Sequence, residues 1–456
     1  MASRRFAQWL AASGEDAALP STDASLALLV VGAGPAGLAA MAGLRRAGVR
    51  FEAIEAHGDA GGNWDPDNPV SAMYAGMRTV TSRRTSHLGP PMPREWPAFV
   101  PFDKALAYLR RFADGQGLRE AIRFRTRFDG AEKTARGTWL VAETGPDGAV
   151  RREYRGIVFA TGSHNRSYRS VPAGLLAEAT EAGLHAIHAS DYREPAPYAG
   201  KRVLVVGLGN SGSDIADKVS AVARRTILAV RTPPWILPAR ILGRPGDQLR
   251  LSAEALRLPH WYQSAFLRLA SRLATGRPER LGLARPDHGP LDRVPVTDRG
   301  IVGAIRAGRV AVRNGLASLD GGVARFAGPE ASAEPVDAVI FATGYTRRYP
   351  LLSAEGGDIA QELAFFLFHR SEAGLSYMTE MVGPRSCWPV FVGQGQAIAA
   401  YYAAEPRPGN AVAFNRRRRL PTQDLKGSLF RGADPFHVDY RRYTAMLRDL
   451  SAWLSE

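Results

Sequence analysis

The sequence has a single cysteine, Cys387, and no long apolar run. One cysteine excludes an intrachain disulfide and a CxxC redox pair, so nothing in the chain argues for an oxidising compartment. A membrane-spanning helix needs about 20 predominantly apolar residues. Every apolar stretch is far shorter, and "LALLVV" and "VLVV" run into glycines, which is typical of buried parallel strands. We therefore expect no membrane helix.

Lysine is also scarce, with five residues in the whole chain, although the net charge is +15. The positive charge is nearly all arginine and is spread along the chain, and no nucleic-acid-binding module is recognisable, so we expect no nucleic-acid partner. The one arginine run, Arg416–Arg419, is interpreted as a solvated loop. The N-terminus "MASRRFAQWLAASGED" carries paired arginines, but its apolar part is too short for a signal sequence. We expect a short leading helix and a cytoplasmic protein.

The stretch "LALLVVGAGPAGLAAM" is typical of a buried strand that leads into a glycine turn and a helix. Gly32, Gly34 and Gly37 have the G-x-G-x-x-G spacing, which permits a tight turn, close approach of a pyrophosphate and close packing of helix on strand. The helix N-terminus offers free N–H groups and a positive dipole end to phosphates. Glu55 ends the next strand, where its carboxylate would accept hydrogen bonds from ribose hydroxyls.

The stretch "KRVLVVGLGNSGSDIA" repeats this spacing at Gly207, Gly209 and Gly212. At the position that matches Glu55 the second unit has Arg231. A carboxylate would repel a ribose 2′-phosphate, whereas an arginine would pair with it. The sequence therefore predicts one site for a nucleotide with a free 2′-hydroxyl and one for NADP. Such a pair suggests a bound FAD that receives hydride from an exchanging NADPH. Two alternatives stay open: Arg231 is only a surface arginine, or the phosphate is held by Arg224 or Arg225.

The order of these units predicts an α/β protein with two nested Rossmann-like domains, the NADP domain being inserted in the FAD domain. We expect an N-terminal extension over 1–25, the first part of the FAD domain over 26–166, and the NADP domain with a helical insertion over 167–337. Residues 338–456 would return to the FAD domain, beginning at "VIFATGY", and end in a tail with a helix near "YRRYTAMLRDLSAWLSE". The irregular Pro-, Gly- and Trp-rich stretch 61–101 is long enough to cover a ligand.

Seven motifs in this order resemble those of the flavin-containing monooxygenases, the class B flavoprotein monooxygenases. They are "GAGPAGL", the acid Glu55, "GGNW", "PMPREWPAF", "ATG" at 160–162, "GLGNSGSD" and "FATGY". The resemblance covers about residues 26–350 and thins to "PVFVGQG", which is similar to the family's strand beside the flavin. It implies that FAD is bound tightly and reduced by NADPH, and that one oxygen atom of O2 reaches a small organic substrate through a flavin hydroperoxide.

The resemblance also assigns cofactor contacts residue by residue. For FAD it implies Gly32, Gly34, Pro35, Ala36, Gly37, Glu55, Gly62, Asn63, Trp64, Phe128, Thr161, Gly162 and Gln394, with Thr161 and Gly162 at the crossover between domains. For NADP it implies Gly207, Gly209, Asn210, Ser211, Gly212, Arg231 and Thr232. No side-chain nucleophile or general base is required, because the cofactor makes the oxidant, and we assign no catalytic residue.

Two departures from the family pattern bear on the chemistry. The family's linker fingerprint survives in "GLHAIHASDYR" only at His188, Tyr192 and Arg193, and the Tyr-Arg pair favours heteroatom oxygenation over the Baeyer–Villiger branch. His188 is equally well explained as a packed linker histidine. Val80 stands at the position of an asparagine in the amine-oxygenating members, so that either Thr79 or Thr81 replaces its polar contact or the chemistry differs.

We therefore expect N- or S-oxygenation, with Baeyer–Villiger oxygenation or an NADPH oxidase or reductase that releases peroxide as alternatives. A non-enzymatic nucleotide-binding scaffold is a further alternative, disfavoured because both glycine motifs are intact. The expected partners are a small-molecule substrate and O2, with a homodimer as one possibility for the assembly. Residues 233–290 and 351–420 carry little family pattern and are expected to shape the substrate pocket, although most of their aromatic residues are expected to be core.

Overall fold

The computed structural model describes residues 25–164, 168–256, 258–328, 332–353, 359–381, 383, 385–404, 413–414, 436 and 438–455. The predicted leading helix and the run Arg416–Arg419 lie outside these residues. The chain divides into two compact units, the first formed by 1–71, 83–164 and 347–456 and the second by 72–82 and 165–346. No described helix is long and apolar enough to cross a membrane.

The first unit is built on a seven-stranded sheet whose central strands are parallel. In spatial order its strands are Leu363–Ala364, Phe368–His369, Leu375–Tyr377, Gly156–Phe159, Leu28–Val31, Phe51–Glu55 and Ile122–Phe124. A separate antiparallel sheet consists of Arg127–Lys133, Trp139–Gly145 and Gly148–Tyr154. The helices are Pro35–Arg46, Phe102–Gly115, Ile359–Glu362, Trp388–Ala404 and Tyr440–Ser455, with short 3-10 turns at Gly62–Trp64 and Arg119–Ala121.

The central strands of this sheet are short and apolar on both faces, as parallel strands covered by helices are. Leu28–Val31 and Gly156–Phe159 are buried at every position. The helix Pro35–Arg46 starts directly after the glycine turn and buries Leu38, Met41 and Leu44 in the same core. The first glycine motif therefore lies at the carboxyl end of the central strand, where ligands bind in open α/β sheets.

The second unit repeats this plan with a five-stranded parallel sheet. In spatial order its strands are Val310–Asn314, Arg225–Val230, Arg202–Val206, Ala338–Phe341 and His185–His188. Smaller sheets are formed by Leu316–Asp320, Val323–Phe326 and Ala333–Pro335, by Ile236–Pro238 with Val296–Asp298, and by Arg240–Ile241 with Arg244–Pro245. The helices are Ala173–Glu181, Asn210–Val219, Gly246–Ala255, His260–Thr275 and Ile301–Arg306, with 3-10 turns at Ala196–Tyr198 and Pro278–Leu281.

Three sequence-based expectations about the chain need correction. The return to the first domain was expected at 338, but the strand Ala338–Phe341 pairs with Arg202–Val206 and His185–His188, so it belongs to the second sheet. Residues 72–82, expected in the FAD domain, belong to the second unit, where Tyr74 packs in its core. The stretch "PVFVGQG" is not a strand but lies in the helix Trp388–Ala404, whose glycines pack on a neighbouring helix.

Candidate functional site

The first and third glycines of the first motif are required by the fold itself. Gly32 has φ +107°, and a Cβ there would lie 2.6 Å from the carbonyl oxygen of Ala160. A Cβ on Gly37 would lie 1.8 Å from the carbonyl oxygen of Gly32. Both contacts are with backbone atoms, so a side chain at either position would force the turn apart.

The second glycine of each motif, by contrast, is not required by any contact that the structure describes. Gly34 begins the helix Pro35–Arg46 with φ −75°, and a Cβ there would meet nothing closer than the Cα of Gly62 at 3.5 Å, an ordinary contact. Gly209 begins the helix Asn210–Val219 with φ −96°, and a Cβ there would have no neighbour within 4 Å. Both glycines lie at a helix N-terminus, where a pyrophosphate approaches the backbone in dinucleotide-binding turns, and among the described residues Gly209 faces open space.

Glu55 is held beside the first turn by two backbone groups. Its Oε2 accepts the N–H of Ala33 at 2.7 Å and its Oε1 accepts the N–H of His57 at 2.8 Å. Burial raises the pKa of Glu55, and these two hydrogen bonds partly oppose the rise. Because a carboxylate has about four acceptor positions, capacity remains for the hydroxyl groups of a ribose.

The 3-10 turn Gly62–Trp64 lies against the glycine turn. Gly62 has φ +58°, and a Cβ there would lie 2.8 Å from the Cα of Gly34, so only glycine lets the two segments approach. The turn is fixed from behind by the buried Asp65, which pairs with His57 at 3.1 Å and with Arg110 at 2.8 Å. This segment therefore forms a rigid wall beside the predicted FAD site.

Four further residues predicted for FAD lie elsewhere in the first unit. Thr161 and Gly162 follow the strand Gly156–Phe159, and the buried Thr161 hydroxyl has no hydrogen-bond partner within the described residues. Phe128 packs edge to face on Phe159, with ring centroids 5.2 Å apart. Gln394 is fully buried, and its amide donates to the carbonyl oxygen of Thr379 at 3.0 Å and to the hydroxyl of Tyr443 at 3.2 Å. These contacts give Gln394 a packing role in the core.

The second glycine turn has the same construction. Gly207 has φ +104° and would place a Cβ 2.6 Å from the carbonyl oxygen of Ala342, and a Cβ on Gly212 would lie 2.0 Å from the carbonyl oxygen of Gly207. Asn210 accepts the N–H of Thr297 through Oδ1 at 3.0 Å, which ties the helix start to the strand Val296–Asp298. Ser211 is exposed at the same helix start.

Arg231 and Thr232 follow the strand Arg225–Val230 and are exposed. Within the described part of the chain the Arg231 guanidinium makes no ion pair or hydrogen bond. Arg224 and Arg225 lie at the opposite, N-terminal end of that strand, whereas Gly207 bonds to Ala229 near its carboxyl end. A strand of six residues separates Arg224 and Arg225 from the turn, which favours Arg231 for the phosphate; the assignment stays a prediction.

Both turns consequently fit the groups that the sequence predicts for them. The first combines an open helix N-terminus, an anchored carboxylate and a buried hydroxyl without a partner, which suits a dinucleotide with free ribose hydroxyls. The second combines an open helix N-terminus with an uncompensated arginine, which suits a 2′-phosphate.

The family model described as flavin-binding monooxygenase-like matches residues 26–369. The chain belongs to this family. It is 30% identical over 340 residues to the indole-3-pyruvate monooxygenase YUCCA1 of Oryza sativa subsp. japonica. The aligned region covers 73% of this chain and 79% of that relative. It is 29% identical over 339 residues to the putative N-oxide-forming dimethylaniline monooxygenase 6 of Homo sapiens. Here the aligned region covers 71% of this chain and 62% of that relative. It is thus a flavin-dependent monooxygenase with FAD and NADP as cofactors.

A solved structure confirms the fold. The chain superimposes on the OTEMO complex with FAD and NADP with a TM-score of 0.62 and 18% identity, over 90% of this chain and 91% of that one. At this identity the likeness concerns the fold alone. The predicted α/β fold with two Rossmann-like domains is therefore confirmed, as is the predicted family.

The residues of the degenerate linker fingerprint serve local packing in this flavin monooxygenase. His188 is buried, and its ring nitrogens contact Ser190 Oγ at 2.9 Å and the carbonyl oxygen of Gly344 at 3.1 Å. Arg193 donates to the carbonyl oxygens of Ser190 and Tyr192. Burial lowers the pKa of His188, so the ring is neutral at neutral pH. The interpretation of His188 as a packed linker histidine is the one these contacts favour.

Val80, which stands where the amine-oxygenating members have an asparagine, has 39% of its surface exposed to solvent. Its neighbour Thr79 is buried. The carbonyl oxygen of Thr79 accepts a hydrogen bond from Arg299. These residues belong to the second unit. Whether Thr79 or Thr81 replaces the family's polar contact stays a prediction.

Sequence reasoning missed an ion pair directly after the crossover residues. His164 Nδ1 lies 2.6 Å from Glu380 Oε2, and the same oxygen accepts the hydroxyl of Ser163. The attraction of Glu380 raises the pKa of His164. Burial would raise the pKa of Glu380, but His164, Ser163 and Arg347 lower it to about 2. The histidine two residues after "ATG" was the one available signal, since its partner is 216 residues away.

Proposed function

We propose that this chain uses NADPH and O2 to oxygenate a nucleophilic nitrogen or sulfur of a small organic molecule. The observation that carries the cofactor part of the proposal is the contrast between the two turns. Neither turn needs its second glycine for a contact that the structure describes, but one carries the anchored Glu55 and the other carries Arg231, whose guanidinium has no partner among the described residues. A resident nucleotide with free hydroxyls and an exchanging one with a 2′-phosphate would need this difference.

In this proposal each residue contributes binding and orientation. The N–H groups at the start of Pro35–Arg46 and of Asn210–Val219 bind the pyrophosphates, Glu55 orients a ribose, and Arg231 pairs with the 2′-phosphate. The Thr161 hydroxyl supplies a buried donor at the end of the strand Gly156–Phe159. When bound, the flavin accepts hydride from the nicotinamide and supplies the O2-activating chemistry.

Oxygenation of nitrogen or sulfur is favoured by the Tyr192-Arg193 pair and by a relative named for N-oxide formation. The overall reaction balances as follows: NADPH gives two electrons, one oxygen atom of O2 goes to the heteroatom, and the other leaves as water. Disulfide reduction is incompatible with the single Cys387, since that chemistry needs a pair of thiols.

The test begins with anaerobic mixing of the FAD-loaded protein and NADPH, followed by aerated turnover under labelled oxygen with a thioether, a tertiary amine and a cyclic ketone. We expect bleaching of the flavin by NADPH and one labelled oxygen atom in the sulfoxide or N-oxide. A flavin that stays oxidised would refute the proposal. Labelled lactone from the ketone alone would assign the Baeyer–Villiger reaction instead, and peroxide equal to the NADPH consumed in every case would assign an oxidase.

A further inference from the structure

A cavity of about 520 Å³ in the first unit is lined by the irregular segment that follows the predicted FAD turn. Its lining residues are Arg83, Arg84, His87, Pro91, Met92 and Arg94. Three of the six are arginines and none is acidic. Arg84 and Arg94 are exposed, Arg83 and His87 are half-buried, and Met92 is buried. The cavity therefore combines a cationic rim with an apolar floor.

The charges of this cavity have no counter-charge bonded to them among the described residues. Within the part of the chain that the structure describes, the guanidinium groups of Arg83, Arg84 and Arg94 make no ion pair or hydrogen bond. Elsewhere in the same unit arginines are paired, for example Arg110 with Asp59 at 2.7 Å. Like charges gathered around one space repel each other, so an anion bound among them would be stabilised.

His87, which also lines the cavity, contributes a hydrogen-bond donor. Its Nδ1 accepts the N–H of Gly89 at 3.2 Å, so the neutral ring carries its proton on Nε2. Burial lowers the pKa of His87, which keeps the ring neutral at neutral pH. One of the residues that line the cavity therefore carries an N–H donor in addition to the three guanidinium groups.

The cavity segment is anchored to the same wall as the predicted FAD turn. The hydroxyl of Tyr108 donates to the carbonyl oxygen of Pro90 at 2.7 Å and accepts the N–H of Leu88 at 2.8 Å. The ring of Tyr108 stacks on Trp388 at 5.8 Å, and Trp388 packs edge to face on Trp64 at 5.5 Å. Two aromatic contacts therefore connect the arginine cavity to the turn Gly62–Trp64.

We infer that this cavity binds the acidic group of the substrate, a carboxylate or a phosphate, through Arg83, Arg84 and Arg94. The apolar part of such a molecule would lie on Met92 and Pro91. The inference rests on the proposed function and adds to it the class of substrate: small apolar molecules that carry one oxyanion. A neutral or cationic amine would gain nothing from three unpaired arginines.

Matched pairs of compounds test the inference by calorimetry on the FAD-loaded protein, with saturating NADP⁺ present to occupy the second nucleotide site. The pairs are phenylpyruvate and its methyl ester, N-acetyl-S-methylcysteine and its methyl ester, and phenyl phosphate and phenol. We expect at least one acid to bind about tenfold more tightly than its neutral partner. The phosphate and carboxylate pairs distinguish the two kinds of acidic group.

The double variant Arg84→Gln with Arg94→Gln should abolish this preference, because it removes two of the positive charges that would bind the acid. Both side chains are exposed, so their removal leaves the core intact. Arg46→Gln, an exposed arginine at the end of the helix Pro35–Arg46, is the control and should keep the preference. Equal binding of acids and neutral partners, or a preference that survives in the double variant, would overturn the inference. NADPH bleaching of the flavin in the same samples reports on the proposed function separately, since it needs no substrate.

Discussion

At the scale of single residues, the glycines of each motif separate into those that the fold needs and those that a ligand needs. Gly32 and Gly37 would place a Cβ against backbone oxygen atoms, whereas Gly34 would not. The G-x-G-x-x-G spacing predicts this division, and the contacts of Gly32 and Gly37 agree with it. Because the described contacts do not require Gly34, a substitution there can test FAD binding while the protein stays folded.

Gly34→Ala should leave the protein folded but weaken FAD binding. The added methyl group meets only an ordinary 3.5 Å contact in the protein but enters the space assigned to the pyrophosphate. A steric conflict of this kind costs about 1–3 kcal/mol, or roughly 5- to 150-fold in affinity. FAD titration of the apoprotein measures the affinity, and circular dichroism checks the fold. Gly32→Ala is the contrasting variant and should lower the free energy of unfolding as well. Unchanged FAD affinity in Gly34→Ala would place the pyrophosphate elsewhere.

Arg231→Ala should weaken NADPH binding more than NADH binding. One charge-assisted contact to a phosphate is worth about 1.5–3 kcal/mol, or roughly 10- to 150-fold. The measurement is the dissociation constant of each nucleotide in anaerobic flavin reduction. Arg224→Ala is the matched control, since Arg224 is equally exposed but lies at the other end of the strand. A selective loss of NADPH binding in the control would contradict the assignment.

His164→Gln should destabilise the protein in a pH-dependent way. The pKa of His164 is raised, so the stabilisation from its charged form is complete below its ordinary value of 6.5 and is lost as pH rises through the folded value. For Glu380 the stabilisation is present above its ordinary value of 4.5 and is lost as pH falls towards about 2. In urea unfolding at pH 6 the variant should therefore have a lower free energy of unfolding than the natural protein, by ~1 kcal/mol or less, because the pair is partly exposed. The difference should shrink at pH 9. A difference that is the same at both values would mean that the charge plays no part.

At the scale of elements, the helix Trp388–Ala404 shows where the pattern of the sequence was insufficient. The apolar letters of "PVFVGQG" suit a strand, and only the contacts with Pro35–Arg46 explain its glycines. A Cβ on Gly395 would lie 2.7 Å from the carbonyl oxygen of Ala39, and one on Gly43 would lie 2.7 Å from the carbonyl oxygen of Gly395. Such helix–helix contacts join residues far apart in the chain, so local periodicity carries no record of them.

Gly395→Ala should lower the free energy of unfolding by about 1–3 kcal/mol, because the methyl group would press on backbone atoms of a packed helix. Gly115→Ala provides the comparison, since a Cβ at the end of the helix Phe102–Gly115 would have no neighbour within 4 Å. That variant should change stability by no more than ~1 kcal/mol. Equal effects of the two substitutions would show that the close packing of the helices is not what Gly395 provides.

The short-range elements of both nucleotide units were predictable, because each strand, glycine turn and helix is encoded in one continuous stretch. Glu55 and Arg231 were found in the same way, as residues that end a strand. Contacts between residues far apart in the chain were not predictable. The strand Ala338–Phe341 was assigned to the wrong sheet, and the pair of His164 with Glu380 was missed. The three arginines of the cavity are plain in the sequence, but only the fold shows that they line one cavity whose described lining residues include no acid.

At the scale of the whole molecule, the chain consists of two units that it enters and leaves more than once. The first unit receives residues from three separate stretches and the second from two. Each unit carries one complete glycine turn and one charged strand end. The homodimer stays a prediction, which light scattering of the FAD-loaded protein would check.

The central claim is that NADPH and O2 are used to oxygenate a small molecule. Its most direct test is aerobic turnover of the FAD-loaded protein under labelled oxygen, with NADPH, O2 and hydrogen peroxide followed together in the presence of N-acetyl-S-methylcysteine, a tertiary amine or a cyclic ketone. We expect labelled sulfoxide or N-oxide with one oxygen atom per NADPH, and peroxide well below the NADPH consumed. Peroxide that accounts for all the NADPH, with no labelled product from any of the compounds, would contradict the claim.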